Sequence, residues 1–120
     1  MARILLVDDD STTLELVARA LVADSHQVTR CQDGQEALQQ IEAASAEIDL
    51  LLTDVEMPGL DGIALARRVA VAAPHVRILL MSGFSGGTDQ IVSLGLPVAG
   101  FVSKPLSLDQ IRTMVRAALV

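Results

Sequence analysis

Four short apolar runs in this 120-residue chain each end in residues able to do chemistry. Ile4-Leu5-Leu6-Val7 ends in Asp8-Asp9-Asp10, and Asp49-Leu50-Leu51-Leu52-Thr53 ends in Asp54. Arg77-Ile78-Leu79-Leu80-Met81 ends in Ser82, and Ala99-Gly100-Phe101-Val102-Ser103 ends in Lys104, the only lysine. In a parallel α/β sheet, ligands bind at the C-terminal edge of the strands. Acids, a further acid, a hydroxyl and a lysine delivered to one such edge describe a single site. Three carboxylates within about 5 Å would repel by about 3 kcal/mol per pair at an effective dielectric near ~20. Asp8, Asp9 and Asp54 would therefore need a cation. Hard oxygen ligands suit Mg²⁺, which uses few carboxylates and keeps several waters, with Mn²⁺ as a substitute of similar taste. Two acids for a metal, one carboxylate free to attack and one lysine support phosphoryl transfer to a carboxylate, with Ser82 donating to a phosphoryl oxygen. Each residue alone has a plainer reading. The acidic run can be a solvated turn or a helix cap, Asp54 a turn residue, Ser82 a loop hydroxyl and Lys104 surface charge. Their joint placement at four strand ends separates the two readings.

The elements that position these residues alternate. Strands are expected over residues 3–7, 27–31, 49–53, 77–81 and 99–102. A first helix over 11–23 carries Leu14, Val17, Ala18, Leu21 and Val22 on one face at helical spacing. Asp10 reads as its cap. Asp33, with Glu36 reaching back, starts a second helix that buries Ala37, Leu38, Ile41 and Ala44. Asp61 caps a third, with Leu65, Ala66, Val69 and Ala73 inward, and Pro74 closes it. A glycine-rich loop over 83–87 leads to a short helix near 88–94. Ser107 and Gln110 form a capping box for the last helix, which carries Leu108, Ile111, Val115 and Leu119. Strands alternating with helices imply βαβ units and a parallel sheet covered on both faces. Gln27–Cys31 is poorest in apolar residues, which suits a sheet edge.

Composition narrows the function classes. A hydrophobic fraction of 51% with 20% charged residues describes one globular domain rather than a disordered chain. With no Trp or Tyr, nothing but two Phe can stack on a base or sugar. A net charge of −6 argues against nucleic acid as a direct partner. One cysteine, Cys31, excludes an intrachain disulfide. No apolar run approaches the roughly 20 residues of a membrane span, and no signal-peptide pattern is present. The expectation is a cytoplasmic domain without membrane contact. Cys31, His26 and His75 lack ligand-like spacing, and both histidines read as surface residues.

These motifs together match a family over essentially the whole chain. Leu6-Val7-Asp8-Asp9, Leu52-Thr53-Asp54-Val55-Glu56-Met57-Pro58-Gly59-Leu60-Asp61-Gly62, Met81-Ser82-Gly83 and Phe101-Val102-Ser103-Lys104-Pro105 resemble the receiver domain of bacterial two-component response regulators. The resemblance implies one domain over 1–120 with a flavodoxin-like (βα)5 fold and a parallel sheet of order 2-1-3-4-5. It implies Asp54 as phosphoacceptor. Asp8, Asp9, Asp54 and the Glu56 backbone carbonyl would hold Mg²⁺. Ser82, Gly83 and Lys104 would take the phosphoryl group, and Phe101 would be the aromatic switch. Pro58, Gly62 and a cis bond before Pro105 would be structural, while Glu56 and Phe84 would tune phosphate lifetime. The implied donor is a sensor histidine kinase or a histidine phosphotransfer protein. Output would pass through the 88–94 helix, the fifth strand and the last helix to an unknown partner, from a monomer or a phosphorylation-linked dimer.

The resemblance fits a stand-alone regulator and the receiver of a hybrid histidine kinase equally. Such a domain is not a stand-alone enzyme, because it would catalyse only its own phosphorylation and dephosphorylation. Two other classes stay in view. An aspartyl-phosphate phosphatase or phosphotransferase would place its nucleophile in an Asp-x-Asp motif after the first strand, as Asp8-x-Asp10 could, but 120 residues leave no room for a cap domain. A receiver-like scaffold would work without phosphorylation. A dinucleotide-binding domain fails, since no Gly-x-Gly-x-x-Gly follows the first strand.

Overall fold

Leu50-Leu51-Leu52 has no polar side to turn toward water, and the fold gives it none: all three residues are fully buried. The computed structural model describes residues 2–83, 95, 97–104 and 107–120. Along them run β1 (Arg3–Val7), α1 (Ser11–Ala23), β2 (Gln27–Cys31) and α2 (Gly34–Ala44). A 3₁₀ turn (Ser45–Glu47), β3 (Leu50–Asp54), α3 (Gly62–Ala72), β4 (Arg77–Ser82), β5 (Gly100–Ser103) and α4 (Leu108–Ala118) follow. The strands pair in parallel in the order β2-β1-β3-β4-β5, as expected. The helix expected near 88–94, Phe84 and the Lys104–Pro105 bond lie outside the described residues. Among those residues, no helix is long and apolar enough to cross a membrane.

Side chains alternate across the sheet. Leu5, Val7, Leu51, Ile78 and Leu80 pack with the inner faces of α2 and α3. Ile4, Leu6, Leu52, Leu79 and Met81 pack with α1 and α4. Only a sheet buried on both faces accommodates strands this apolar. Leu6, Leu52 and Leu79 stand side by side in register, as do Val7, Thr53 and Leu80. The strands therefore end at nearly the same level, and the residues that follow them meet.

Each helix begins where a side-chain oxygen can take an orphan amide. Asp10 accepts from Thr12 N–H, Asp33 from Glu36 N–H, Asp61 from Ala64 N–H and Ser107 from Gln110 N–H. Glu36 does reach back, but to the Gln32 amide at 3.3 Å rather than to the Asp33 amide of a strict capping box. At the far end of the molecule, Arg112 and Arg116 both bond Asp24, which fastens α4 to the turn after α1.

Several boundaries and faces depart from the sequence reading. β3 and β5 each start and end one residue later, and β4 extends to Ser82. The cause is backbone pairing beyond the apolar runs: Val55 N–H donates to Met81 O at 2.8 Å, and Lys104 N–H to Ser82 O at 2.8 Å. Asp54 and Ser82 thus belong to the sheet and not to loops. Val22 is 49% exposed, since it lies past the end of the covered stripe, while Ala20 is buried instead. Leu108, in the first turn of α4, is 37% exposed, and Ala44 and Leu119 are only partly covered. His26 is half-buried rather than superficial, because its Nδ1 accepts from Ala2 N–H.

The turn between β3 and α3 is fixed by close backbone approach. Pro58-Gly59 has the residue order of a type II turn, and Gly59 takes the left-handed φ of +74° such a turn requires. Gly62 N–H donates to Val55 O, and a Cβ on Gly62 would sit on the carbonyl oxygen of Asp54. Helix propensity alone would make Gly62→Ala stabilising by up to about 1 kcal/mol. The contact reverses that sign: Gly62→Ala is expected to destabilise by about 1–3 kcal/mol in urea unfolding. A variant as stable as the parent would contradict the contact.

Candidate functional site

β1 and β3 are neighbours, so Asp8 and Asp54 emerge side by side. Asp8 is 0% exposed and Asp54 2%. Asp8 Oδ1 accepts from Asp10 N–H at 2.9 Å, whereas its Oδ2 has no hydrogen-bond partner. Asp54 Oδ1 receives a long bond of 3.4 Å from Glu56 N–H. Asp9 is exposed beside them. Asp8, Asp9 and Asp54 each offer one carboxylate oxygen, and these oxygens all lie within 4.8 Å of one another. An all-carboxylate set with a buried oxygen that accepts no hydrogen bond fits a hard divalent cation such as Mg²⁺.

Lys104 leaves β5 and reaches back over the sheet edge. Its Nζ lies 3.1 Å from Asp54 Oδ2 and 3.7 Å from Asp8 Oδ2. Burial works against the lysine's charge, but the bond to Asp54 and the surrounding carboxylates outweigh it and hold its pKa above the ordinary value. Asp54 shows the opposite balance. Burial dominates, the bond and charge of Lys104 only partly offset it, and the pKa is pushed up to about 6. Burial raises Asp8 as well, against the Asp10 amide and Lys104. One ammonium is too little for this many acids.

Ser82, the last residue of β4, is 1% exposed. Its hydroxyl donates to Glu56 Oε1 at 2.9 Å, and the Gly83 amide donates to the same oxygen at 2.7 Å. The fold therefore brings Asp8, Asp9, Asp54, Glu56, Ser82, Gly83 and Lys104 together at one edge. Phe101 pairs with Leu80 in the sheet and packs, partly buried, with the α2/α3 core. Pro58 is exposed in the turn after β3. Sequence reasoning gave Glu56 a backbone carbonyl and a tuning role, and missed its side chain as acceptor for the Ser82 hydroxyl and the Gly83 amide. The signal was a carboxylate two residues beyond the β3 acid, within reach of the adjacent strand. Thr53 was also missed: its buried hydroxyl donates to Asp54 O at 3.0 Å and steadies the strand end.

The raised pKa of Asp54 carries a stability consequence. A carboxyl whose folded pKa of about 6 lies above its ordinary 3.8 favours the fold below pH 3.8, and that contribution is lost as pH rises through 6. In EDTA at pH 7.5, Asp54→Asn is expected to stabilise the protein by about 1–3 kcal/mol in urea unfolding, and by clearly less at pH 5. An equal effect at both pH values would contradict this electrostatic picture.

Known proteins share both the sequence and this arrangement of strands. The family model described as response regulator receiver domain matches residues 4–116. The response regulator MprA of Mycolicibacterium vanbaalenii is 32% identical over 117 residues, covering 98% of this chain and 50% of that protein. The sensor kinase CckA of Brucella abortus is 32% identical over 121 residues, covering 98% of this chain but 12% of the kinase. This chain thus spans about half of one relative and a small part of the other. Among solved structures, the response regulator TrrA of Thermotoga maritima in complex with Mg²⁺-BeF superposes with a TM-score of 0.87 at 28% identity, covering 99% of this chain and 100% of that one. The chain belongs to the response regulator receiver domain family.

Proposed function

We propose that this domain is a phosphoacceptor switch in which Asp54 takes a phosphoryl group from the phosphohistidine of a sensor kinase or a histidine phosphotransfer protein. The observation that carries the reading is the Asp54 carboxylate itself, buried at a strand end, 3.1 Å from Lys104 Nζ and within 4.8 Å of two further acids. A carboxylate oxygen of Asp54 attacks phosphorus, the P–N bond to histidine breaks with its electron pair staying on nitrogen, and the imidazole, already protonated on its other ring nitrogen, leaves neutral. Hydrolysis of the resulting acyl phosphate returns the carboxylate and inorganic phosphate. Lys104 holds Asp54 ionised against its burial and then pairs with a phosphoryl oxygen. The Ser82 hydroxyl and the Gly83 amide would donate to the other phosphoryl oxygens. Asp8, Asp9 and Asp54, with the Glu56 carbonyl, would hold Mg²⁺, or Mn²⁺ in its place; the ion supplies charge neutralisation at the transferring group.

The new group brings about −1.5 to −2 charges and three acceptor oxygens. That pull acts on Ser82 at the end of β4 and on Lys104 at the end of β5. Phe101 and α4 lie next to these strands, and we assign output to that side of the domain. A modest bias between two existing conformations is enough for signalling. The reading places the domain in the cytoplasm with its kinase, either as a regulator or as the receiver of a hybrid kinase.

Intact-mass spectrometry after incubation with acetyl phosphate tests this. One added phosphoryl group that requires Mg²⁺ and is absent from Asp54→Asn is the expected result. A parent protein that gains no phosphoryl group would turn the reading toward a phosphorylation-independent scaffold. An adduct that persists in Asp54→Asn would move the acceptor to another acid.

A further inference from the structure

The site contains a carboxylate that the phosphoacceptor reading leaves without employment. Glu56 Oε1 accepts from both the Ser82 hydroxyl and the Gly83 amide, at 2.9 and 2.7 Å. Its other oxygen, Oε2, is buried without a hydrogen-bond partner. Lys104 is spent on Asp54 and Asp8, at 3.1 and 3.7 Å. A buried anionic oxygen with no hydrogen-bond donor is unfavourable, so, apart from the field of Lys104, the Glu56 carboxylate is held by the two donors at the end of β4, the Ser82 hydroxyl and the Gly83 amide that follows it.

Those donors are the ones a phosphoryl group on Asp54 would use. The Ser82 hydroxyl and the Gly83 amide have one hydrogen each. Each hydrogen given to Glu56 is withheld from the phosphoryl group, and the charge of Glu56 already acts against that of Asp54. We propose that the Glu56 side chain is an internal competitor, occupying the Ser82 and Gly83 donors until a phosphoryl group on Asp54 displaces it. The inference rests on the reading of Asp54 as acceptor and adds a threshold to it: β4 is held in its resting arrangement by a carboxylate of the protein's own. Phosphorylation then exchanges one acceptor for a stronger one, and the cost of releasing Glu56 is subtracted from the affinity for the incoming group.

Shortening the side chain separates competition from plain charge repulsion. Glu56→Asp keeps the charge but draws the carboxylate back by one methylene, away from the donors. Glu56→Ala removes both charge and acceptor. The probe is beryllofluoride in the presence of Mg²⁺, followed by calorimetric titration, with Mg²⁺ alone titrated first. Competition predicts that Glu56→Asp and Glu56→Ala both bind beryllofluoride about tenfold tighter than the parent. It also predicts that both variants shift the Gly83 amide resonance of the ligand-free protein upfield, because its bond to a carboxylate is lost. A Glu56→Asp variant that binds like the parent while only Glu56→Ala tightens would overturn competition in favour of repulsion. Weaker binding by both would show that Glu56 belongs to the phosphoryl site itself. Absence of beryllofluoride binding in the parent and every variant would remove the phosphoacceptor reading and the competitor with it. An unshifted Gly83 amide together with normal beryllofluoride binding would remove the competitor alone.

Discussion

Two carboxylates almost cut off from water end adjacent strands, and one ammonium reaches both. Lys104 stands 3.1 Å from Asp54 and 3.7 Å from Asp8. Around that triangle lie Asp9 and the Glu56 carboxylate, with no second lysine anywhere in the chain. The charge imbalance explains the rest of the site. It holds Asp54 between proton and cation, leaves Asp8 Oδ2 without a hydrogen bond, and makes the edge receptive to a divalent ion. A site already short of positive charge responds strongly when more negative charge arrives, which is what a switch requires.

The hydrophobic sheet makes so costly a cluster tolerable. Apolar residues of β1, β3 and β4 fill both faces and fix the register, so that Val7, Thr53 and Leu80 stand level. Carboxylates one residue further on have no freedom to spread apart. The backbone closes around them as well. Gly62 lets α3 approach the Asp54 carbonyl where no side chain would fit. Stability built elsewhere in the sheet is thereby set against electrostatic strain at its edge, a common division between scaffold and site.

Much of this was legible in the sequence because the signals were local. Apolar runs bounded by Asp, Ser or Lys marked the strand ends, and Asp10, Asp33, Asp61 and Ser107 marked helix starts through bonds to amides two or three residues away. Distant contacts were not legible in the same way. The Glu56 bond to Ser82 spans 26 positions and depends on β3 and β4 being neighbours and on one rotamer. The one-residue extensions that draw Asp54 and Ser82 into the sheet depend on the Val55–Met81 and Lys104–Ser82 backbone bonds. His26 read as a surface residue because nothing local marks its bond to the Ala2 amide, 24 positions away. Helical periodicity also overran its stripe at Val22, where the covering elements stop.

The most direct measurement is a crystal structure of the protein with Mg²⁺ and beryllofluoride. The account predicts beryllium bonded to an Asp54 carboxylate oxygen, fluorides on Lys104 Nζ and on the Ser82 hydroxyl, and the metal among Asp8, Asp9 and Asp54. Beryllium bonded to a different acid, or fluorides that leave Lys104 on its present partners, would contradict the assignment of this edge as the phosphoryl site.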